Sequence, residues 1–331
     1  MSAESGGRIG GFELLRAAGA FAVVWIHACD PSKTILRWSA WAAFAVPAFT
    51  FVSFHLLQKR ACERPESTYA SLLGVRLQRI APAYLAWSAV YIAARLLKHA
   101  LQGGAPLVSD PFGWIFMGGA SYQLYFLPAI LYGSAVFLPV IVVAARTRHR
   151  RTAGAVMLVL AAALYAAGRF AQPVLAGKGE PFIVRQMVDL AWLVPAASFC
   201  ALAWPGGFRA GSRTARAAWA AAGCAAFVLA VLDVVPAAAR AACIGLGPAI
   251  AGMAAASWAV PAVVGKVARI SFGIYLCHGL FVEGLQLAAG RLGAPLESAP
   301  VTLAVVVLAF LGACALCAPV ARARPLRWLV A

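Results

Sequence analysis

The sequence predicts an all-α fold, a polytopic membrane bundle of about ten transmembrane helices, and three observations predict it. The chain is 63% hydrophobic and 12% charged, with a mean hydropathy of +0.83. A soluble domain is about 45–50% apolar and about 25% charged. The apolar residues fall into ten runs, most of them with the roughly 17–25 residues that cross a hydrocarbon core as a helix. The 28 Lys and Arg gather in alternate connections between those runs, which is the asymmetry that orients a membrane chain. The expectation is one integral membrane domain over 1–331.

In order, the expected spans are 12–29, 40–58, 80–97, 123–145, 152–169, 183–204, 216–235, 241–258, 269–289 and 301–320. The first is uncharged from Ala17 to Ile26 and is expected to stay in place as an uncleaved helix. Although Arg8 before an apolar run resembles a secretory signal, nine further apolar runs follow it. The third opens with Pro82, which suits a first helical turn. Many of the spans are Ala-rich and some contain proline, which membrane helices tolerate when neighbours satisfy the freed backbone. With the amino terminus in the cytoplasm, the inner segments hold eighteen Lys/Arg and the outer segments and helix ends nine, and Arg16, inside the first span, completes the 28. That excess holds connection by connection and predicts cytoplasmic N- and C-termini in a multi-pass protein. The outer connection 98–122, with Trp114 and Phe116, is expected to lie along the interface.

A formal net charge of +17 does not indicate nucleic acid, because the basic residues lie between membrane-length runs and not on a solvated face. Lipid is the expected surrounding partner. Most of the eight cysteines sit inside apolar runs, and the lone CxxC, Cys314 and Cys317, has no partner pair. They read as small buried apolar residues, with no metal expected.

Three constellations could carry chemistry. In 12–30, Arg16 and His27 are eleven residues apart. At ~100° and ~1.5 Å per residue they share a helix face and stand roughly 16 Å apart along it. Ionisable groups at membrane depth normally face protein or a wet cavity; the other reading is a snorkelling Arg and an interfacial His. In RLQRIAP, Arg76 and Arg79 share a face three residues apart, and guanidinium groups suit bidentate phosphate binding. In ISFGIYLCHGLFVEG, Ser271, Tyr275 and His278 share one face. Glu283 lies ~20 Å and His27 ~22 Å from the inner surface by helical rise, so the carboxylate could orient the imidazole, with Asp30 as a competing partner. Asp189 and Asp233 could pair with Arg185 and Arg240, and Tyr122, Gln123 and Tyr125 read as interfacial-belt residues.

Taken together, these stretches resemble the membrane acyltransferase-3 family, integral-membrane O-acyltransferases that modify bacterial surface glycans. The resemblance rests on the Arg–ten residues–His spacing from Arg16 to His27, VPAFTFVSFHLL from Val46 to Leu57, the RxxR-I-x-P segment of Arg76, Arg79 and Pro82, and S-x-G-I-Y-x-x-H at Ser271, Gly273, Tyr275 and His278. Order, spacing and span count agree from end to end. The chain departs from the pattern at Glu13, where Asp is usual, at Thr50 and Phe54, and at Gln123 and Tyr125, where H-L-W is common. The resemblance implies a location in the cell inner (plasma) membrane, a cytoplasmic acyl-CoA donor, usually acetyl-CoA, and a sugar hydroxyl as acceptor at the outer side. It implies CoA phosphates held by Arg16, Arg76 and Arg79, and Ser271, Tyr275 and His278 lining the donor passage or holding the donor's carbonyl. His27 would act as general base or acyl carrier, oriented by Glu283 or Asp30. A succinyl or longer donor is the alternative within the family, and a small transporter without covalent chemistry the alternative outside it.

Overall fold

The structure, a computed structural model, describes residues 9–29, 40–102, 111–177, 182–209 and 211–330. Helices α1 (Gly10–Ala28), α2 (Ala45–Glu63), α3 (Tyr69–Gln102), α4 (Pro111–Phe116), α5 (Phe126–Arg146) and α6 (Arg150–Gly177) are followed by α7 (Phe182–Leu190) and α8 (Leu193–Ala203). The chain ends with α9 (Arg213–Val231), α10 (Ala237–Ala254), α11 (Ala262–Arg291) and α12 (Ala299–Arg322). A 3-10 turn at Ala40–Phe44 leads into α2, another at Arg327–Leu329 follows α12, and no strand occurs among the described residues. Ten segments are long and apolar enough to cross a membrane, one for each expected run, so the chain is an all-α, multi-pass membrane bundle.

Two segments differ from expectation. The third span runs on for 34 residues, beginning at Tyr69. Thr68 and Ser71 cap its start reciprocally, the Thr68 N–H reaching Ser71 Oγ (3.0 Å) and the Ser71 N–H reaching Thr68 Oγ1 (3.2 Å). Pro82 therefore lies inside the helix and not in its first turn, and it withholds the N–H that the carbonyl four residues earlier would take. Arg76 and Arg79 become mid-helix residues with fixed directions. The sixth span is divided between α7 and α8 at Ala191 and Trp192. The break sits four residues before Pro195, which has no N–H to give Ala191.

Helix α1 is the axis of the bundle, packed against α2, α10, α11 and α12. It approaches α10 closely, for a Cβ on Gly11 would lie 1.8 Å from the Gly252 carbonyl oxygen. Only two glycines permit that approach of backbones, the small-residue contact expected where lipid supplies no hydrophobic drive between helices. On the far side α11 packs along both α1 and α12. The face carrying Ser271, Tyr275 and His278 is thereby held against protein, and all three residues are buried.

The segment between α3 and α5 folds back on the bundle. Tyr84 of α3 donates its hydroxyl to the carbonyls of Trp114 (2.9 Å) and Ile115 (2.8 Å), and Tyr132 of α5 donates to that of Phe116 (2.8 Å). Phe112 and Phe116 stay exposed, as an interfacial helix requires. Gly118 then turns the chain at φ 73°, where a Cβ would come within 2.3 Å of Tyr125. That turn directs 121–125 inward.

Asp233 pairs with Arg240, as expected. The cation within electrostatic range of Asp189 is Arg169, not Arg185. The Asp233–Arg240 side chains are 67% and 38% exposed, and exposed pairs contribute about 0–1 kcal/mol. Arg240→Ala is therefore expected to shift the thermal midpoint of the purified protein by no more than about 2–4 °C, measured by differential scanning fluorimetry in detergent.

Candidate active site

One cavity of about 280 Å³ opens between α1, α2, α3, α5 and α11. Arg16, Arg60, Arg76 and Arg79 line it, together with Ser271 and Tyr275, and its remaining wall is largely aliphatic and aromatic. The structure thus brings together five of the six residues expected at the donor site. Arg60 joins them; the sequence counted it only as a topological charge, and its place beside Leu56 and Leu57 on α2 gave no local sign of a shared cavity. No Asp or Glu is among the lining residues.

Arg76 is held most firmly. Its Nη2 donates to the Ser53 carbonyl at 2.8 Å, and its guanidinium carbon sits 4.8 Å from the centre of the Phe54 ring. Nη1 is shielded and finds no hydrogen-bond partner among the described residues. A buried unpaired donor on a cation is costly. Four guanidinium groups round one cavity without a lining carboxylate give that space a basic wall, rich in donors of the kind that pair with phosphate or carboxylate.

Ser271 and Tyr275 are already engaged. Ser271 Oγ donates to the Ala268 carbonyl at 2.9 Å, and the Tyr275 hydroxyl donates to the Gln123 carbonyl. A hydroxyl has one proton, so both present acceptor lone pairs or bare wall to the cavity. They do not supply the donor that would hold an acyl carbonyl.

One turn beyond Tyr275, His278 is fully buried. Its Nδ1 lies 2.7 Å from the Tyr275 carbonyl and 3.2 Å from that of Ile274. A carbonyl only accepts, so Nδ1 carries the proton and the neutral ring's Nε2 carries a lone pair. Nε2 has no partner among the described residues. The His278 ring stacks on His27, with centroids 5.2 Å apart and planes at 27°. Tyr122 covers another side of His27 at 4.6 Å.

His27 and Arg16 therefore both face protein. What stands against His27 is a second imidazole. Glu283 is exposed, and no ion pair or hydrogen bond joins it to His27 among the described residues. Five residues past His278 is about 140° round the helix from it. The carboxylate instead acts on Tyr122, whose phenol pKa is pushed up first by burial and then by Glu283. Asp30 lies outside the described residues. Of the two residues expected in an interfacial belt, Tyr122 keeps the exposure that reading needs while its ring meets His27, whereas Gln123 is buried. Only the inward turn after Gly118 places them so, and its Gly-Gly pair was the sole sign of it in the sequence.

A family model described as an acyltransferase domain matches residues 9–318, nearly the whole chain. The chain belongs to the acyltransferase-3 family. It is a membrane acyltransferase, and the transporter alternative falls away. No curated protein and no solved structure matches. The arginine-lined cavity and the imidazole pair lie on the same two helices, α1 and α11.

Proposed function

We propose that this acyltransferase takes an acetyl group from acetyl-CoA on the cytoplasmic side of the cell inner membrane. It delivers the group to a sugar hydroxyl of a surface glycan, or of its lipid-linked precursor, at the outer side. Both termini lie in the cytoplasm in this reading. The observation that carries it is the cavity with four guanidinium groups and no lining carboxylate, set on the helix whose other end holds His27.

Coenzyme A presents three phosphate groups and a long neutral arm ending in the thioester. Arg16, Arg76 and Arg79 hold the phosphates, with Arg60 beside them. The rise of roughly 16 Å from Arg16 to His27 is comparable to the reach of the pantetheine arm. His27 takes the proton of the acceptor hydroxyl as that oxygen attacks the thioester carbon. The C–S bond then breaks, and the imidazolium returns the proton to the departing thiolate. His278 braces His27 by stacking, and its Nε2 lone pair offers an acceptor for an N–H of His27 or for the incoming hydroxyl.

The test uses the full chain in lipid nanodiscs with acetyl-CoA labelled in the acetyl group. The expected result is CoA release, with label passing to glycan acceptors from the source organism. Deletion of the gene is expected to lower the O-acetyl content of surface glycans by mass spectrometry. If succinyl-CoA alone is consumed, the donor assignment is wrong. If no acyl-CoA is consumed and the glycans are unchanged, the whole proposal is wrong.

A further inference from the structure

The site has a base and a cation cluster, and the unpaired N–H of that cluster, on Arg76, belongs with the phosphate-holding arginines and not with the imidazoles. Each hydroxyl on α11 that lines the cavity has its proton committed. A carbonyl that becomes an oxyanion needs such a donor, since removing one from an acyl-transfer site typically costs ~10²–10³-fold in rate.

Gln123 is 1% exposed. Its backbone carbonyl takes the Tyr275 hydroxyl, and its side-chain oxygen accepts a hydrogen bond of 2.6 Å from Ser121 Oγ. The amide is thus fixed at two points with its NH2 group turned away from Ser121. That Nε2 is shielded from solvent and without a partner among the described residues. Buried amide donors are almost always paired. A Cβ on Gly279 would stand 2.6 Å from Nε2, so the amide rests against α11 at the residue directly after His278. The residue directly before it, Tyr122, covers His27. The unpaired donor therefore belongs to the same layer as the two imidazoles.

We propose that the Gln123 side-chain amide is the oxyanion donor of this transferase, a catalytic residue that binds the acyl carbonyl oxygen; the proposal rests on the acyl-CoA reading above. As the acceptor oxygen bonds to the thioester carbon, the carbonyl π pair moves onto oxygen, and Nε2–H holds that charge. His27 carries the acceptor's proton meanwhile. The pair then returns to re-form C=O, the C–S bond breaks, and the thiolate takes the proton from His27.

Gln123→Met keeps the length and removes the donor, and Gln123→Glu puts an acceptor in its place. Gln123→His restores a donor on a different frame. Each variant is compared with wild type in nanodiscs for kcat of CoA release from acetyl-CoA, for CoA affinity by calorimetry and for thermal midpoint. Gln123→Met and Gln123→Glu are expected to lose ~10²–10³-fold in kcat, with CoA affinity and midpoint unchanged and partial recovery in Gln123→His. A wild-type kcat in Gln123→Met overturns the proposal. So does a loss of rate matched by lost CoA affinity or a lowered midpoint, which marks a packing role. A wild-type protein that releases no CoA from any acyl-CoA overturns the underlying reading, and this proposal with it.

Discussion

Replacing His27 by alanine is expected to lower kcat for CoA release by ~10²–10⁴-fold, the range over which a positioned general base acts. The inserted, folded protein should remain. The size of the effect follows from position. His27 is the group on α1 that meets both the α11 imidazole, at 5.2 Å, and the turn after Gly118, through Tyr122 at 4.6 Å. The other imidazole beside it, His278, has its Nδ1 proton committed to backbone carbonyls. The small change in stability follows from packing, because the ring is only partly buried and stands near the end of a helix whose Gly11–Gly252 contact lies at the other end. Affinity for CoA should be unchanged, since the guanidinium groups are about three turns away. His278→Gln separates the roles of the pair. Glutamine can still meet the Tyr275 carbonyl through its amide but has no basic nitrogen. It should lose less than His27→Ala if His278 only braces the ring, and as much if the pair shares the proton. Full turnover by the His27→Ala protein would remove His27 from the mechanism altogether.

How far the sequence led depended on range. The ten spans were legible because the bilayer imposes a length and a hydropathy on each segment independently. The arginine cavity was legible because Arg16, Arg76 and Arg79 sit on helical faces at spacings that fix their directions. The missed parts depend on polar helix and on tertiary rotation. The first third of α3 carries Arg76 and Arg79 but is too polar for a hydropathy window, and its signal was the Thr68–Ser71 capping pair. The partner of His27 was sought among carboxylates at the same depth. Helical rise gives depth but not the angle between two helices, and that angle put His278 against it and left Glu283 exposed. Gln123 was unreadable for a third reason: its burial depends on the left-handed Gly118, a feature of one residue's backbone.

The arginine cluster allows an equally direct prediction, in which the substrate itself is the control. Arg76→Ala removes a cavity-lining guanidinium whose Nη1 has no partner among the described residues, and a hydrogen bond to a charged group contributes about 1.5–3 kcal/mol. At 1.4 kcal/mol per tenfold, KM for acetyl-CoA should rise by ~10–150-fold, with kcat at saturation changed far less, because the lost contact serves ground state and transition state alike. Arg79→Ala should act in the same direction. Acetyl-N-acetylcysteamine carries the same thioester on a stub of the same arm but has no phosphate. It should be a poor substrate of the wild-type protein and no poorer for the variants, so that the advantage of acetyl-CoA over it shrinks. Arg76→Lys should recover only part of the loss. An ammonium cannot both reach the Ser53 carbonyl and stack on Phe54 while presenting a second donor to phosphate, as the guanidinium does. If the variants lose both donors equally, Arg76 holds α3 against α2 and not the donor, and the cavity would need another occupant.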